Sequence, residues 1–194
     1  MKKQSTREKL LDITFEEVYI HGYAATSVDT ILKKAQISKG SMYHHFKSKK
    51  ELVLAMVEER LFPKMDMFFK YEQQEGKSVM ESIRSTLVFV AKNNPLITYG
   101  CPLYRLMVEL SPVDKEFDEL LSSKVNDMKK SAALLLQRGK EIGEFNDSFD
   151  TEAFAGFLLS SVWGILSLSP SLSSSKNFVK QSKYILNELE NYKK

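Results

Sequence analysis

The sequence predicts an all-α protein of about nine helices, in which a small N-terminal unit precedes a larger C-terminal helical bundle. Apolar residues recur at spacings of three and four along most of the 194 residues, and 43% of all residues are hydrophobic. Residues that favour helix N-caps precede these stretches, and no stretch alternates in the manner of a half-buried strand. We place the boundary between the two domains after residue 50, which gives domains of residues 1–50 and 51–194.

Three short helices are predicted in the N-terminal unit. The first spans about residues 6–21 and ends at Gly22, a residue type that favours helix C-termini. The segment Thr26-Ser27-Val28-Asp29 has the pattern of a capping box and opens the second helix. Ser38 caps the third helix, which runs to about His45.

The caps also define the remaining helices. Ser48 begins a long helix to about Tyr71, and Pro63 is expected to kink it. The other predicted starts are Ser78, Cys101 before Pro102, Ser111 before Pro112, Asp150 and Ser173 to Ser175, and the predicted stops are Asn93 to Pro95, Leu110, Gly139 with Gly143, and Pro170.

Positive charge is concentrated in residues 1–50. They hold ten Lys and Arg against five Asp and Glu, a net charge of +5, whereas residues 51–194 have a net charge of −2. A basic domain of this kind is either a solvated terminus or a surface that faces a polyanion such as nucleic acid. An architectural DNA-binding protein is expected to be basic along its whole length, so the acidic remainder argues against that class.

The predicted third helix is well suited to surface recognition. It has two clear core anchors, Met42 and Phe46, while its other faces carry Lys, Gly, Ser, Tyr and His. With the second helix and the short turn between them it forms a helix-turn-helix pattern. Gly40 lowers the helix propensity, which is tolerable where the backbone must approach another surface closely. The alternative interpretation is an ordinary solvated helix.

Several segments at fixed spacing carry a family resemblance. Gly22 to Val28, Ile31, Ala35 to Phe46 and Ser48 to Leu52 closely resemble the signature of the tetracycline-repressor (TetR) family, over about residues 5–55. The resemblance implies a dimeric DNA-binding transcription regulator, usually a repressor, whose C-terminal domain binds a small-molecule inducer. Gln36 stands where the family more often has Gly or Asn.

The resemblance also implies which residues contact DNA. The third helix is expected to enter the major groove, where Lys39 can donate to guanine or phosphate and where Tyr43 and His44 can bond phosphate or touch thymine methyl groups. Phosphate contacts are expected at two helix N-termini. The full set of expected DNA-binding residues is Thr26, Ser27, Lys39, Gly40, Ser41, Tyr43, His44, Lys47 and Lys49.

One recognition helix reads only a few base pairs, so we expect a homodimer on a palindromic double-stranded operator. The interface is predicted on the helices of residues 154–168 and 174–192. The former is apolar on much of its circumference, which indicates burial on more than one side. The alternative is that it forms the central helix of a monomeric bundle.

Large, adaptable side chains between residues 60 and 130 suit a small hydrophobic effector, although such a stripe is also typical of plain core. The expected effector-binding residues are Phe62, Met65, Phe69, Phe89, Tyr104, Met107 and Trp163.

Cys101 is the only cysteine, which fits a reducing, cytoplasmic compartment. As the N-cap before Pro102 it would lie at the positive end of a helix dipole, which lowers a thiol pKa. Cys101 is therefore a candidate sensor of oxidants or electrophiles, and its alternative role is an inert buried cysteine.

The sequence lacks the patterns of several other classes. It contains no phosphate-binding Gly-rich loop and no nucleophile elbow, and all three histidines fall within the first 45 residues, so we do not expect an enzyme. Metal binding by His44 and His45 is disfavoured because neighbouring helical residues point about 100° apart. No cofactor, membrane span or secretory signal is expected.

Overall fold

The computed structural model describes residues 4–168 and 174–194 and confirms an all-α fold within these ranges. The helices are α1 (Thr6–His21), α2 (Val28–Ala35), α3 (Lys39–His45), α4 (Lys49–Met56), α5 (Phe62–Phe68), α6 (Val79–Lys92), α7 (Asn94–Tyr99), α8 (Pro102–Leu110), α9 (Lys115–Glu141), α10 (Thr151–Ser167) and α11 (Ser175–Glu190). A π-helical turn, Val57–Leu61, joins α4 to α5. Among the described residues the only β-type pairing is an isolated bridge between Phe145 and Lys193. No helix in these ranges is both long and apolar enough to cross a membrane.

The chain divides into two compact units. The first, which we call the head unit, extends from the start of the described chain to Met65 and also includes Arg105–Leu121. The second, the bundle unit, comprises Asp66–Tyr104 and the residues from Ser122 onward. The head unit is thus larger than the predicted domain of residues 1–50. It also includes Arg105–Leu121, a second segment that begins 40 positions after Met65.

The head unit is built around α1. Its core consists of apolar residues at helical spacing, which are Leu10, Leu11, Val18, Ile31, Leu32, Ala35, Met42, Phe46, Leu52 and Val53. Salt bridges add further ties: Glu17 of α1, almost fully buried, binds Lys34 of α2 at 2.5 Å, and Arg7 binds Glu59 at 2.5 Å. The short helices α2 and α3 are therefore held by packing on α1 rather than by their own length.

The irregularity expected at Pro63 is a π-helical turn just before it. Proline has no N–H, so the carbonyl of Glu59, four residues earlier, loses its normal helical donor. A guanidinium N–H of Arg60 donates to this carbonyl oxygen at 3.2 Å. The helix then continues as α5 to Phe68, three residues short of the predicted end.

The bundle unit has a separate core. Buried apolar residues of α6, α7, α9, α10 and α11 meet there, and an aromatic cluster of Phe145, Phe149, Phe154 and Tyr192 closes one end, with Phe149 stacked on Tyr192 at 4.4 Å between ring centroids. Position 139 lies inside α9 and requires glycine, because a Cβ there would stand 2.4 Å from the Phe145 ring.

Several predicted boundaries are wrong. Helix α9 begins after Asp114, whose carboxylate accepts N–H bonds from Glu116 and Phe117, and not at Ser111. It also passes through Gly139 to Glu141. The prediction missed α7, which Asn93 caps by accepting the N–H of Leu96 at 3.1 Å. The predicted stop at Pro170 lies outside the described residues, as does Ser173 of the predicted start, whereas Ser174 is the N-cap of α11 and lies within the predicted range.

Candidate functional site

Helix α3 is held to the head unit by one face. Met42 is fully buried, and Phe46, which follows the last turn, is 2% exposed. Ser38 caps the helix as predicted, since its hydroxyl oxygen accepts the N–H of Ser41 at 3.2 Å. A seven-residue helix is too short to be stable alone, so these anchors and the cap fix its orientation.

The opposite face of α3 is open. At about 100° per residue, Gly40 and His44 lie on the side of the helix away from Met42, with Tyr43 and Ser41 beside them. Lys39, Gly40 and His44 are exposed, and Tyr43 is 47% exposed. A Cβ built on Gly40 meets no heavy atom within 4 Å, so nothing inside the protein requires glycine there.

The two residues at the start of α2 have different roles. Ser27, which is exposed, is the N-cap and accepts the N–H of Thr30 at 3.0 Å. Thr26 is 2% exposed, and its hydroxyl donates to the carbonyl oxygen of Gly22 at 2.7 Å. The cap predicted at Thr26 is therefore displaced by one residue, and the Thr26 hydroxyl holds the preceding loop together.

The two lysines expected at the start of α4 also differ. Lys47 is exposed. The Lys49 ammonium donates to the carbonyl oxygen of Tyr23 at 2.6 Å and lies 4.1 Å from the centroid of the Tyr23 ring. Burial lowers the pKa of Lys49. In this arrangement Lys49 fastens the loop of residues 22–25 to α4 instead of extending into solvent.

Gln36 adopts the left-handed conformation, with φ 55° and ψ 44°, in the turn between α2 and α3. This conformation explains why glycine and asparagine are favoured at such a position, since other side chains are strained there. It is the only non-glycine residue with positive φ among those described. The turn between α2 and α3 therefore contains one strained residue.

A residue that sequence reasoning missed, Glu109 of α8, binds the loop of residues 22–25. Its carboxylate oxygens accept the backbone N–H groups of Tyr23 at 2.9 Å and Ala24 at 2.7 Å. The same carboxylate lies 3.0 Å from a Cβ built on Gly22, which has φ 84°. Charge-assisted bonds of this kind are stronger than neutral ones. The only sequence signal is an acid in an otherwise largely apolar helix.

Ion pairs and ring contacts reinforce this attachment. Lys50 of α4 binds Asp114 at 2.8 Å and Glu116 at 2.9 Å, and these contacts lower the pKa of Asp114 and raise that of Lys50. The Tyr23 ring packs edge-on against Phe117, 5.5 Å between centroids. We call the contacts of Arg105–Leu121 with the loop of residues 22–25 and the start of α4 the loop clamp.

The residues expected to bind an effector fall in both units. In the head unit Met65 is buried, and Phe62 and Met107 are partly buried, whereas Phe89 of the bundle unit is 46% exposed. Two members meet in the bundle unit, where the rings of Tyr104 and Trp163 lie 5.7 Å apart. Phe69 lines a cavity of about 220 Å³ there, together with Tyr71.

Cys101 is fully buried at the start of α8. The backbone N–H groups of Tyr104 and Leu103 act on its sulfur as expected for an N-cap, but burial outweighs them and raises the pKa of the thiol to about 11. The predicted lowering of the pKa is therefore wrong. The desolvation of a thiolate in this core is a larger effect than the helix dipole.

Helices α10 and α11 each leave a face uncovered. On α10 the exposed residues include Ser160, Gly164 and Phe157, the last 44% exposed. On α11, Val179 is 39% and Tyr184 70% exposed. The inward face of α10, which includes Leu158 and other buried apolar residues, belongs to the core. One face of α10 is thus buried in the core of its own chain, and the opposite face is exposed.

Within the described part of the chain, no group of three or more His, Cys, Asp and Glu side chains could hold a metal ion. The rings of His44 and His45 stand 5.2 Å apart in a tilted, edge-on arrangement. His44 is exposed and His45 is partly buried.

These features define a class of protein, namely a helix-turn-helix regulator with a separate helical domain. Family comparisons agree with this class. Residues 10–56 match the model of bacterial regulatory proteins of the tetR family, and residues 79–181 match that of the tetracyclin repressor-like C-terminal domain. The chain belongs to the TetR family. It is a ligand-responsive DNA-binding transcriptional regulator, and regulators of this family are often repressors.

Individual relatives are similar over most of the chain. An uncharacterized HTH-type transcriptional regulator in the lacX 3' region of Lactococcus lactis is 30% identical over 132 residues, 67% of each chain. The HTH-type transcriptional repressor KstR2 of Mycolicibacterium smegmatis is 27% identical over 167 residues, 82% of this chain and 77% of that protein. A TetR transcriptional regulator from Chloroflexus aurantiacus has the same fold, with a TM-score of 0.86 at 21% identity over 97% of this chain and 96% of that one.

Proposed function

We propose that the protein represses transcription by binding a palindromic operator as a homodimer, and that a small hydrophobic effector releases it. The observation that carries this proposal is the division of α3 into two faces. Met42 and Phe46 fix one face in the core, and Gly40, Tyr43 and His44 form an exposed face on the other side of the helix. The name of the KstR2 relative supports repression as the direction of control.

The open face has the chemistry for base and phosphate contacts. Lys39 and His44 offer donors to base edges or phosphates, and Tyr43 offers both a hydroxyl and a ring edge for thymine methyl groups. Gly40 allows the sugar-phosphate backbone or a base edge to approach the helix closely. Ser27, which precedes α3 in the sequence, and Lys47, which follows it, are both exposed and supply phosphate contacts.

Dimerisation joins the uncovered faces of α10 and α11. Among the described residues no heavy atom lies within 4 Å of a Cβ built on Gly164, and Ser160 is exposed one turn earlier, so a second helix can approach closely there. We call the surface around Ser160 and Gly164 the flat strip. The apolar area around it comes from Phe157, Val179 and Tyr184. Burial of this area supplies the favourable free energy of association.

Helix α8 offers a route from effector to DNA. It carries Tyr104, which packs on Trp163, and five residues later Glu109, which holds the loop of residues 22–25. An effector that favours one position of α8 would change the loop clamp, and through Lys49 and Lys50 the position of α4. The separation of the two recognition helices in the dimer then shifts, and the operator affinity falls.

Selection of duplexes from a random pool tests the DNA-binding proposal. We expect the full-length protein to enrich two inverted half-sites and to prefer the selected duplex over random DNA by about 10³-fold or more at physiological salt. An equal affinity for both duplexes across a salt series would identify a nonspecific or architectural binder and contradict the proposal.

The dimer is tested by Gly164→Glu, with the exposed Lys130→Glu as a control that adds negative charge elsewhere. Two carboxylates facing each other across the flat strip repel and resist desolvation. Sedimentation should show a dimer for the native protein and the control, and a monomer for Gly164→Glu. A dimer of unchanged affinity in all three would place the interface elsewhere.

A further inference from the structure

The charges of helix α11 are placed against its own dipole. Its three lysines all precede Tyr184, its two acids follow it, and all five side chains are exposed, namely Lys176, Lys180, Lys183, Glu188 and Glu190. The N-terminus of a helix carries a partial positive charge and its C-terminus a partial negative charge, so this order is unfavourable within one chain. An antiparallel helix of the same sequence reverses the effect, because it brings lysines and acids together.

Lys180 and Glu188 are the opposite charges nearest to the centre of this exposed face. They lie four residues before and four residues after Tyr184, so the three side chains form one row along the helix. Among the described residues neither Lys180 nor Glu188 forms an ion pair. The Glu188 carboxylate accepts a side-chain N–H bond from Asn191 at 3.3 Å. Its charge is thus left without a counter-charge in this part of the chain.

Glu188 lies on the wall of an open groove between α10 and α11. The groove has a volume of about 510 Å³, and none of its described lining residues is basic. Its second carboxylate belongs to Asp150, the N-cap of α10, and its aromatic rings belong to Phe154, Phe157, Tyr184 and Tyr192. A lysine suits such a groove, because its methylene stem packs on the rings while its ammonium reaches the carboxylates.

Helices α10 and α11 run antiparallel. At one end the ring of Phe154, in the first turn of α10, lies 6.1 Å from the ring of Tyr192, just after α11. At the other end Leu166 of α10 and Phe178, in the first turn of α11, line one cavity. Equal numbers of residues along the two helices therefore span equal distances in opposite directions.

A two-fold axis through Tyr184 also passes the flat strip of α10. Tyr184 lies eight residues before Tyr192, and the same step from Phe154 along α10 ends within the flat strip. The axis that places Lys180 opposite Glu188 of a second copy thus brings the two flat strips together. The charges of α11 and the small residues of α10 are separate features, and they select the same axis.

We propose that α11 selects a second copy of this chain by charge. Across a two-fold axis at Tyr184, Lys180 of each copy enters the groove of the other copy and binds Glu188 there. The pair forms twice, because a two-fold interface is isologous. A helix with an acidic or apolar residue opposite Glu188 lacks this pairing, so the arrangement favours the homodimer over mixed dimers with related chains. The inference rests on the proposed function, because it assigns partner recognition within the proposed dimer.

Charge reversal tests the pairing by analytical ultracentrifugation of the full-length protein. Lys180→Glu sets carboxylates against each other on both sides of the axis, and Glu188→Lys does the same with ammonium groups. We expect each variant alone to raise the dimer dissociation constant about 100-fold or more, because like charges meet at two places. Lys130→Glu, the exposed control on α9, should dimerise like the native protein.

An equimolar mixture of the two variants restores both pairs. In the mixed dimer the introduced carboxylate at position 180 faces the introduced ammonium at position 188, and the native lysine faces the native carboxylate. The mixture should therefore form dimers within about tenfold of the native affinity. The double variant Lys180→Glu/Glu188→Lys should dimerise alone for the same reason. Since each single variant finds its partner in the mixture, a loss of folding does not explain its monomeric state.

Three outcomes separate this inference from the proposed function. Dimers of native affinity in both single variants would overturn the inference and leave the groove to another ligand, such as a small organic cation. A mixture or a double variant that remains monomeric would overturn it as well. A native protein that dimerises but fails these tests retains the proposed function, whereas a monomeric native protein rejects the proposed dimer itself.

Discussion

Two regions of the molecule differ in how their hydrogen-bonding groups are paired. They are the loop of residues 22–25 and the buried side chains of Tyr71 and Trp163, which we call the cluster. In the loop, Glu109 accepts the N–H groups of Tyr23 and Ala24, and Lys49 donates to the Tyr23 carbonyl. In the cluster, a hydroxyl and an indole N–H are buried without an acceptor among the described residues. A fully paired polar network specifies one local structure, whereas a buried donor left unpaired costs free energy. The loop in the head unit is therefore the more strongly specified of the two regions.

The largest expected effect comes from breaking the saturated region with Glu109→Ala. This change leaves two backbone N–H groups without their charged acceptor, so we expect a loss of about 2–4 kcal/mol in the free energy of unfolding and a marked loss of operator affinity. Chemical denaturation and gel-shift titration measure the two effects. The control is Glu119→Ala, an exposed acid of α9 in an i,i+4 pair with Lys115, which should change stability by about 0.5 kcal/mol or less. Equal effects of the two variants would remove the basis for the loop clamp.

The second expected effect concerns the reactivity of the buried Cys101 thiol. Because burial raises the pKa of Cys101 from 9.0 to about 11, the native protein holds about 100-fold less thiolate than the unfolded chain at pH 8. Iodoacetamide should therefore alkylate Cys101 at least about 100-fold more slowly in the native protein than in denaturant, and the native rate should rise as the pH approaches 11. Equal native and denatured rates at pH 8 would restore Cys101 as a reactive sensor.

A Cys101→Ser variant completes this test. Since the proposed small hydrophobic effector forms no covalent bond with the protein, this variant should retain release by such an effector. Loss of operator binding on treatment with an electrophile, present in the native protein and absent from Cys101→Ser, would instead support covalent sensing.

Gly40 lowers the stability of α3 because glycine has a low helix propensity. No heavy atom of the described residues lies within 4 Å of a Cβ built on Gly40, so Gly40→Ala should stabilise α3 by about 0.5–1 kcal/mol. The added methyl group faces the proposed DNA surface and should weaken operator binding about tenfold or more. Thermal unfolding and gel-shift titration on the same preparations measure both. A variant that is more stable and binds DNA normally would show that α3 does not approach DNA closely at this residue.

The smallest expected effect is at Gln36, the strained residue of the turn. Gln36→Gly relieves the left-handed strain at some cost in backbone entropy and should stabilise the protein by up to about 1 kcal/mol, while operator affinity stays within about twofold. Thermal unfolding measures the gain. A destabilised Gln36→Gly variant would indicate that the glutamine side chain makes a compensating contact.

Features set by neighbours in the sequence were predictable. The caps at Ser38, Ser78 and Asp150 and the C-terminal stop at Gly22 lie where expected, because a cap requires only a side chain within three residues of its donor. The family signature likewise predicted membership of the TetR family, which the family comparisons confirm. Local chemistry therefore sufficed for most of the secondary structure.

Features set by distant residues were not predictable. Pro95 was interpreted as a helix stop, although it lies in the first turn of α7, where a missing N–H costs nothing. Gly139 was interpreted as a stop for α9, and only the packing of Phe145 explains it. The N-cap position of Cys101 was right, but its pKa depends on burial by residues far away in the sequence.

The variant His44→Ala tests directly whether the outward face of α3 reads bases. Duplex selection should be repeated with this variant beside the native protein. We expect the preferred base to be relaxed at one or two positions, at the same place in both half-sites, with the remaining positions unchanged. An identical selected sequence, bound with the native affinity or uniformly more weakly, would contradict base reading by this face.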